Sequence, residues 1–92
     1  MRRPNLHLGR FDNTNFEGAD INRSNLRFAD LRGANLRNTN LFRADFSKAD
    51  LTGADITGAD LNEATLDGTI MTNVKGIESI NGYDAKKGLC VS

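Results

Sequence analysis

The chain has 92 residues but only one cysteine, one proline, one histidine and no tryptophan, and its charges cancel, Lys+Arg 12 against Asp+Glu 12. Each shortage closes a class of function. Cys90 alone makes neither an internal disulfide nor a zinc-ligand set, so this is no disulfide-stapled secreted domain. His7 has no second imidazole or nearby thiol with which to bind a metal or drive nucleophilic catalysis. A net charge of +0 removes the simplest electrostatic case for a nucleic-acid partner. No apolar run approaches the roughly 18 residues a membrane span needs. Arg2, Arg3 and Pro4 lead straight from Met1 into the repeats without the apolar core of a signal peptide, so none is expected. A cytoplasmic protein with Cys90 as an inert free thiol is the expectation. Gly-rich phosphate loops, zinc-finger spacings and nucleotide fingerprints do not occur, so no cofactor and no small-molecule substrate are expected.

What the chain does have is a period of five. Leu6, Phe11, Phe16, Ile21, Leu26, Leu31, Leu36, Leu41, Phe46, Leu51, Ile56, Leu61, Leu66 and Met71 are evenly spaced. Two places before most of them stands a small residue, as in Ala29, Ala34, Ala44, Ala49, Ala54 and Ala59. Between the two lies Asp or Asn, as in Asp30, Asn35, Asp45, Asp50 and Asp55. An α-helix turns about 100° per residue, so a step of five would scatter the large residues around its circumference. A straight strand alternates with period two, so an odd step would send successive large residues to opposite faces. The chain must instead bend once per unit, with the small and the large residue both turned inward. Asx and Gly suit the bend, because Asx side chains cap turns and Gly accepts positive φ. Gly18, Gly33, Gly53, Gly58 and Gly68 all stand two places after a centre.

Ala29-Asp30-Leu31, Ala34-Asn35-Leu36, Ala49-Asp50-Leu51 and Ala59-Asp60-Leu61 resemble the A-(D/N)-L-X-X signature of pentapeptide-repeat proteins. The resemblance covers roughly residues 5–73. It implies an all-β fold, a right-handed quadrilateral β-helix with twenty residues per coil. This chain would then form about three and a half coils over residues 1–74, with strand spacing of about 4.8 Å. Residues 75–92 carry Ile77, Ile80, Tyr83, Leu89 and Val91 and are expected to form a short C-terminal cap, Asp84 to Gly88 making one helical turn, the alternative being a disordered tail.

On such a solenoid the fourteen period-five residues form the core, in columns such as Leu6–Leu26–Phe46–Leu66. Asp45, Asp50, Asp55 and Asp60 fall on four different sides and do not converge. Neighbouring carboxylates are twenty residues apart, Asp30 with Asp50, close enough to perturb one another. Each is expected to accept N–H bonds within its own turn rather than to bind metal or do acid–base work. A filled core offers no concave site, so no catalytic residue is assigned and the chain is not expected to be an enzyme.

Function is then expected on the outside. Residues 1–43 hold eight Arg against Asp12, Glu17, Asp20 and Asp30, whereas residues 44–73 hold Lys48 against six acidic residues. This polarity suits an oriented protein partner or self-association through a coil end. Arg27, Arg32 and Arg37 form a belt on successive sides. Only Arg23 and Arg43 stack, with Glu63 beneath, so a contiguous nucleic-acid groove is not expected. Leu8 and Phe28 stack in one outer column, and Phe42 lies one corner away between Asn22 and Asn62. Leu8, Phe28, Phe42, Arg23 and Arg43 are the candidate interaction surface. The expected function is a non-enzymatic interaction or structural scaffold. The alternative that the resemblance implies is a duplex-DNA mimic that binds DNA gyrase, although family members of that kind are longer and strongly acidic.

Overall fold

In the computed structural model, which describes residues 5–77, the chain turns a corner every five residues and stacks on itself every twenty. Parallel bridges join Asn5 to Asn25, Asn25 to Asp45 and Asp45 to Thr65 down one side. Equivalent series run down the other three sides and end at Lys75 opposite Asp55. The bridged residue is always the Asx-type position. Each side makes a single bridge per coil rather than an extended strand, because only three residues separate one corner from the next.

Three backbone bonds per side hold one coil to the next. On the side centred on Leu31, its N–H donates to Asp50 O at 2.8 Å, and Gly33 N–H donates to Thr52 O at 2.9 Å. Asp50 N–H donates back to Ala29 O at 3.0 Å. A fourth bond closes the corner, from Ala34 N–H to Leu31 O at 3.1 Å. The side's backbone groups are thus accounted for with little recourse to solvent.

The corner has a fixed stereochemistry. From Leu8 to Asn73, every residue two places after a centre has φ between 57° and 74°, glycine or not. Positive φ at only the third residue of a hydrogen-bonded turn is the type II geometry. Glycine satisfies it without strain, but Leu8, Arg23, Phe28, Arg43, Lys48 and Glu63 also adopt it. Each such side chain costs roughly 1–2 kcal/mol and is held there by the ladder on both sides. The corner projects its side chain away from the axis, and this sets which residues reach the surface.

The Asx side chain completes the turn. Asp45 Oδ1 accepts from Ser47 N–H at 3.0 Å and from Ser47 Oγ at 2.6 Å. Asp50 with Thr52 and Asp55 with Thr57 repeat the arrangement. Asparagines do likewise, and Asn35 Nδ2 also reaches up to Asn15 Oδ1 at 3.3 Å.

Inside, Leu26, Leu31, Leu36, Leu41, Phe46, Leu51, Ile56 and Leu61 are fully buried together with Ala29, Ala34, Ala44, Ala49, Ala54 and Ala59. Burial of each large side chain is worth about 1.5–3 kcal/mol. Leu6, Phe11, Phe16, Ile21, Leu66 and Met71 stand at the ends of their columns and are half-buried against this core. Phe11 and Phe16 meet edge to face, ring centroids 5.5 Å apart. Two small sites are polar. Thr39 Oγ1 donates to Leu36 O at 2.7 Å. Ser24 is 1% exposed, and its Oγ has no hydrogen-bond partner. From residue 78 onward the expected cap, its helical turn and Cys90 lie outside the described residues.

Candidate interaction surface

One side of the prism, whose inner column is Leu6, Leu26, Phe46 and Leu66, is bounded by two unlike edges. The first is the corner column Arg23–Arg43–Glu63, each member in the positive-φ conformation. Arg43 Nε donates to Glu63 Oε1 at 2.7 Å. Phe42 lies beside this column, with the guanidinium carbons of Arg23 and Arg43 5.9 and 5.4 Å from its ring centroid. The phenyl ring is thus half-buried between two cations, a favourable arrangement for the ring face. Sequence spacing places these three residues close together, but the side-chain directions that stack them follow from the corner geometry.

The second edge is the corner column Leu8–Phe28–Lys48–Gly68. Leu8 is 62% exposed and Phe28 49%, the two most exposed large hydrophobic residues described. His7 meets Phe28 edge to face with ring centroids 6.2 Å apart. Ile70, 47% exposed, belongs to the next side and stands just around this edge below Asp50. Ile70 takes an outward Asx position, and sequence reasoning leaves it out of the candidate surface because there it reads only as a lapse in the repeat. The three exposed large hydrophobics among the described residues therefore lie along one edge, Leu8 and Phe28 in the first two coils and Ile70 in the last.

The arginine belt encircles the second coil, with Arg27, Arg32, Arg37 and Arg43 on the four sides and all exposed. Arg32 donates from Nε to Asp30 Oδ1 at 2.8 Å and from Nη2 to Asp30 Oδ2 at 2.9 Å. This pairing, rather than repulsion from Asp50, dominates at Asp30 and holds its carboxyl below the usual range. The same contacts push the Arg32 guanidinium up. Side-chain and then backbone bonds from Asn22 lower Asp20. The Thr57 hydroxyl lowers Asp55, with its N–H adding to the effect. Arg27 reaches Asp45 only at 3.9 Å. Arg10 and Lys48 make no ion pair among the described residues.

Asp45, Asp50, Asp55 and Asp60 occupy four successive sides, and each accepts bonds from the residue two places on. No group of three or more His, Cys, Asp or Glu side chains that could hold a metal occurs among the described residues. No helix there is long and apolar enough to cross a membrane. What the surface offers is apolar contact, guanidinium groups and an outer lattice of turn-capping amides and hydroxyls.

The family model for pentapeptide repeats matches residues 9–38 and 34–73, with 8 copies. No curated protein matches the chain. Among solved structures, a pentapeptide repeat protein from the thylakoid lumen of Arabidopsis thaliana is similar, with 34% identity and a TM-score of 0.76. That match covers 79% of this chain and 50% of the plant protein. A pentapeptide repeat protein from the cyanobacterium Cyanothece 51142 is similar at 26% identity and a TM-score of 0.57, over 85% of this chain and 56% of its own. The chain thus spans about half the length of these relatives. Their fold is the right-handed quadrilateral β-helix, and the repeat units, their bridges twenty residues apart and the structural likeness place this chain in the pentapeptide-repeat family.

Proposed function

We propose that the protein is a non-enzymatic interaction module, a rigid prism that presents side chains on its edges to a protein partner. The observation that carries this reading is the contrast between core and edge. The interior is filled by interlocked Leu, Phe, Ile and Ala, while Leu8 and Phe28 are held outward at one corner despite the conformational cost of positive φ. Apolar side chains grouped at an exposed site and rimmed by polar groups are characteristic of contact surfaces. Phe42, between Arg23 and Arg43, adds an aromatic–arginine group of the kind enriched in binding hot spots. The single cysteine supports a cytoplasmic setting.

Affinity capture from native lysate tests the proposal, comparing wild type with Phe28→Ser/Phe42→Ser. Stoichiometric recovery of a partner with wild type and its loss with the variant supports it. Equal recovery by both removes these residues from the account. The duplex-DNA mimic acting on gyrase requires a continuous acidic surface, which the four arginines of the second coil interrupt. A supercoiling assay is expected to show no effect at high protein excess.

A further inference from the structure

The edge bearing Leu8 and Phe28 is complementary to itself when turned end for end. Its corner column reads Leu8, Phe28, Lys48 and Gly68 along the axis, one residue per coil. The neighbouring outward column on one side reads His7, Arg27, Ser47 and Asp67. The outward column on the other side reads Arg10, Asp30, Asp50 and Ile70. Leu8, Phe28, His7, Arg27 and Arg10 lie toward the first coil and Gly68, Ser47, Asp67 and Asp50 toward the last, with Asp30, Lys48 and Ile70 departing from this gradient.

We propose that this edge pairs antiparallel with the same edge of a second copy of the chain. The inference rests on the proposed interaction role and names the partner. A two-fold axis perpendicular to the two prisms sets the first coil of one against the last coil of the other and opposes like sides. Leu8 then faces Gly68, the one corner in the column without a side chain. Lys48 lies across that glycine, its Cδ 2.9 Å and its Nζ 3.5 Å from where a Cβ would stand, so Leu8 meets the aliphatic stem of the lysine with the ammonium at its end. Phe28 faces the base of the Lys48 side chain, whose ammonium has no carboxylate partner among the described residues. His7 comes opposite Asp67. Arg27, held only loosely by Asp45 at 3.9 Å, comes opposite Ser47 and next to Asp67. Ile70 faces Arg10 and flanks Leu8, so each of the three exposed large hydrophobics among the described residues finds cover.

One match is unfavourable, Asp30 opposite Asp50. Arg32 neutralises Asp30 with two N–H bonds, which lowers the repulsion. A parallel pairing, about a two-fold along the axis, would oppose unlike sides and set Lys48 against Lys48 in the corner column. The contact runs side to side and differs from the coil-end association anticipated from the sequence.

Sedimentation velocity on the full chain from about 10 μM to about 1 mM reads the association. A mass that doubles with concentration is expected, and Phe28→Ser should raise the dissociation constant at least about tenfold. Circular dichroism melts must match, to show that the variant still folds. Register is tested in a Cys90→Ser background. An equimolar mixture of Arg27→Cys and Ser47→Cys chains should cross-link on mild oxidation faster than either alone. Monomer throughout the range overturns the proposal, and so does cross-linking that is fastest between identical chains. Either failure leaves the broader interaction role standing if capture of another protein still depends on Phe28. Loss of that dependence as well overturns both.

Discussion

Replacing Ser24 by Ala should make the protein more stable. Ser24 occupies an inner small site, 1% exposed, above Ala44 in the same column. Its backbone already makes the corner bond to Ile21 O at 3.2 Å, and Ala44 makes the same bond to Leu41. The hydroxyl adds a buried polar atom with no hydrogen-bond partner. Leaving such a group unsatisfied costs about 1–3 kcal/mol. Deleting the oxygen leaves only a small void, so a net gain of about 1 kcal/mol is expected. In a chain of this size that raises the melting midpoint by about 4–8 °C. Thr39 is the internal control. It fills the equivalent site on another side, but its hydroxyl donates to Leu36 O at 2.7 Å. Thr39→Ala removes a satisfied bond and a methyl group and should cost about 1–2 kcal/mol. Urea denaturation of both variants measures the difference as a midpoint shift at unchanged slope. A lower midpoint for Ser24→Ala would refute the claim that this hydroxyl is an uncompensated burial cost.

The same geometry sets three further outcomes. Leu36→Ala, at a fully buried centre between Phe16 and Ile56, should cost about 2–5 kcal/mol in the same denaturation assay, since the rigid ladder limits collapse around the cavity. Gly18 has φ +74° and open space where a Cβ would stand, so Gly18→Ala should cost only the backbone term, about 1 kcal/mol, and Gly18→Val clearly more. Asp20, Asp30 and Asp55 are lowered by their bonds to Asn22, Arg32 and Thr57, so they contribute stability that is fully present above the unfolded carboxylate value of about 4. That contribution is lost as pH falls through their depressed folded values, and melting temperatures measured from about pH 6 to about pH 2 should drop fastest at the acid end.

Much of the architecture can be read from residue order. A strict step of five in Leu, Phe and Ile excludes helix and straight strand, and the alanines two places earlier mark the second inward position. The columns Leu26–Phe46 and Leu31–Leu51 then follow once the number of sides is known, and that number comes from resemblance to a family rather than from periodicity. The surface is less legible. Outward placement of Leu8, Phe28 and Phe42 follows from the register. That Leu8, Arg23 and Phe28 take positive φ like the glycines does not, because local preference disfavours that conformation for such residues and the inter-coil ladder overrides it. The stacking of Phe42 between two guanidinium groups depends on that same corner geometry. Ile70 escapes a sequence reading because an apolar residue at an Asx position looks like decay of the repeat, whereas its meaning lies in its neighbours around the edge. The unpaired Ser24 hydroxyl gives no signal at all, since Ser and Thr are both small enough for the site and only the packed structure separates a satisfied hydroxyl from an orphaned one.

The most direct test of the claim that binding resides on the outer edges is a cross-linking footprint of the captured complex, read by mass spectrometry with a short reagent. Contacts are expected to concentrate around His7–Arg10, Arg27–Phe28 and Phe42–Lys48. They should disappear in Phe28→Ser/Phe42→Ser under conditions where circular dichroism shows the isolated variant still folded. Contacts confined to the side centred on Leu36, undiminished in that variant, would contradict the claim.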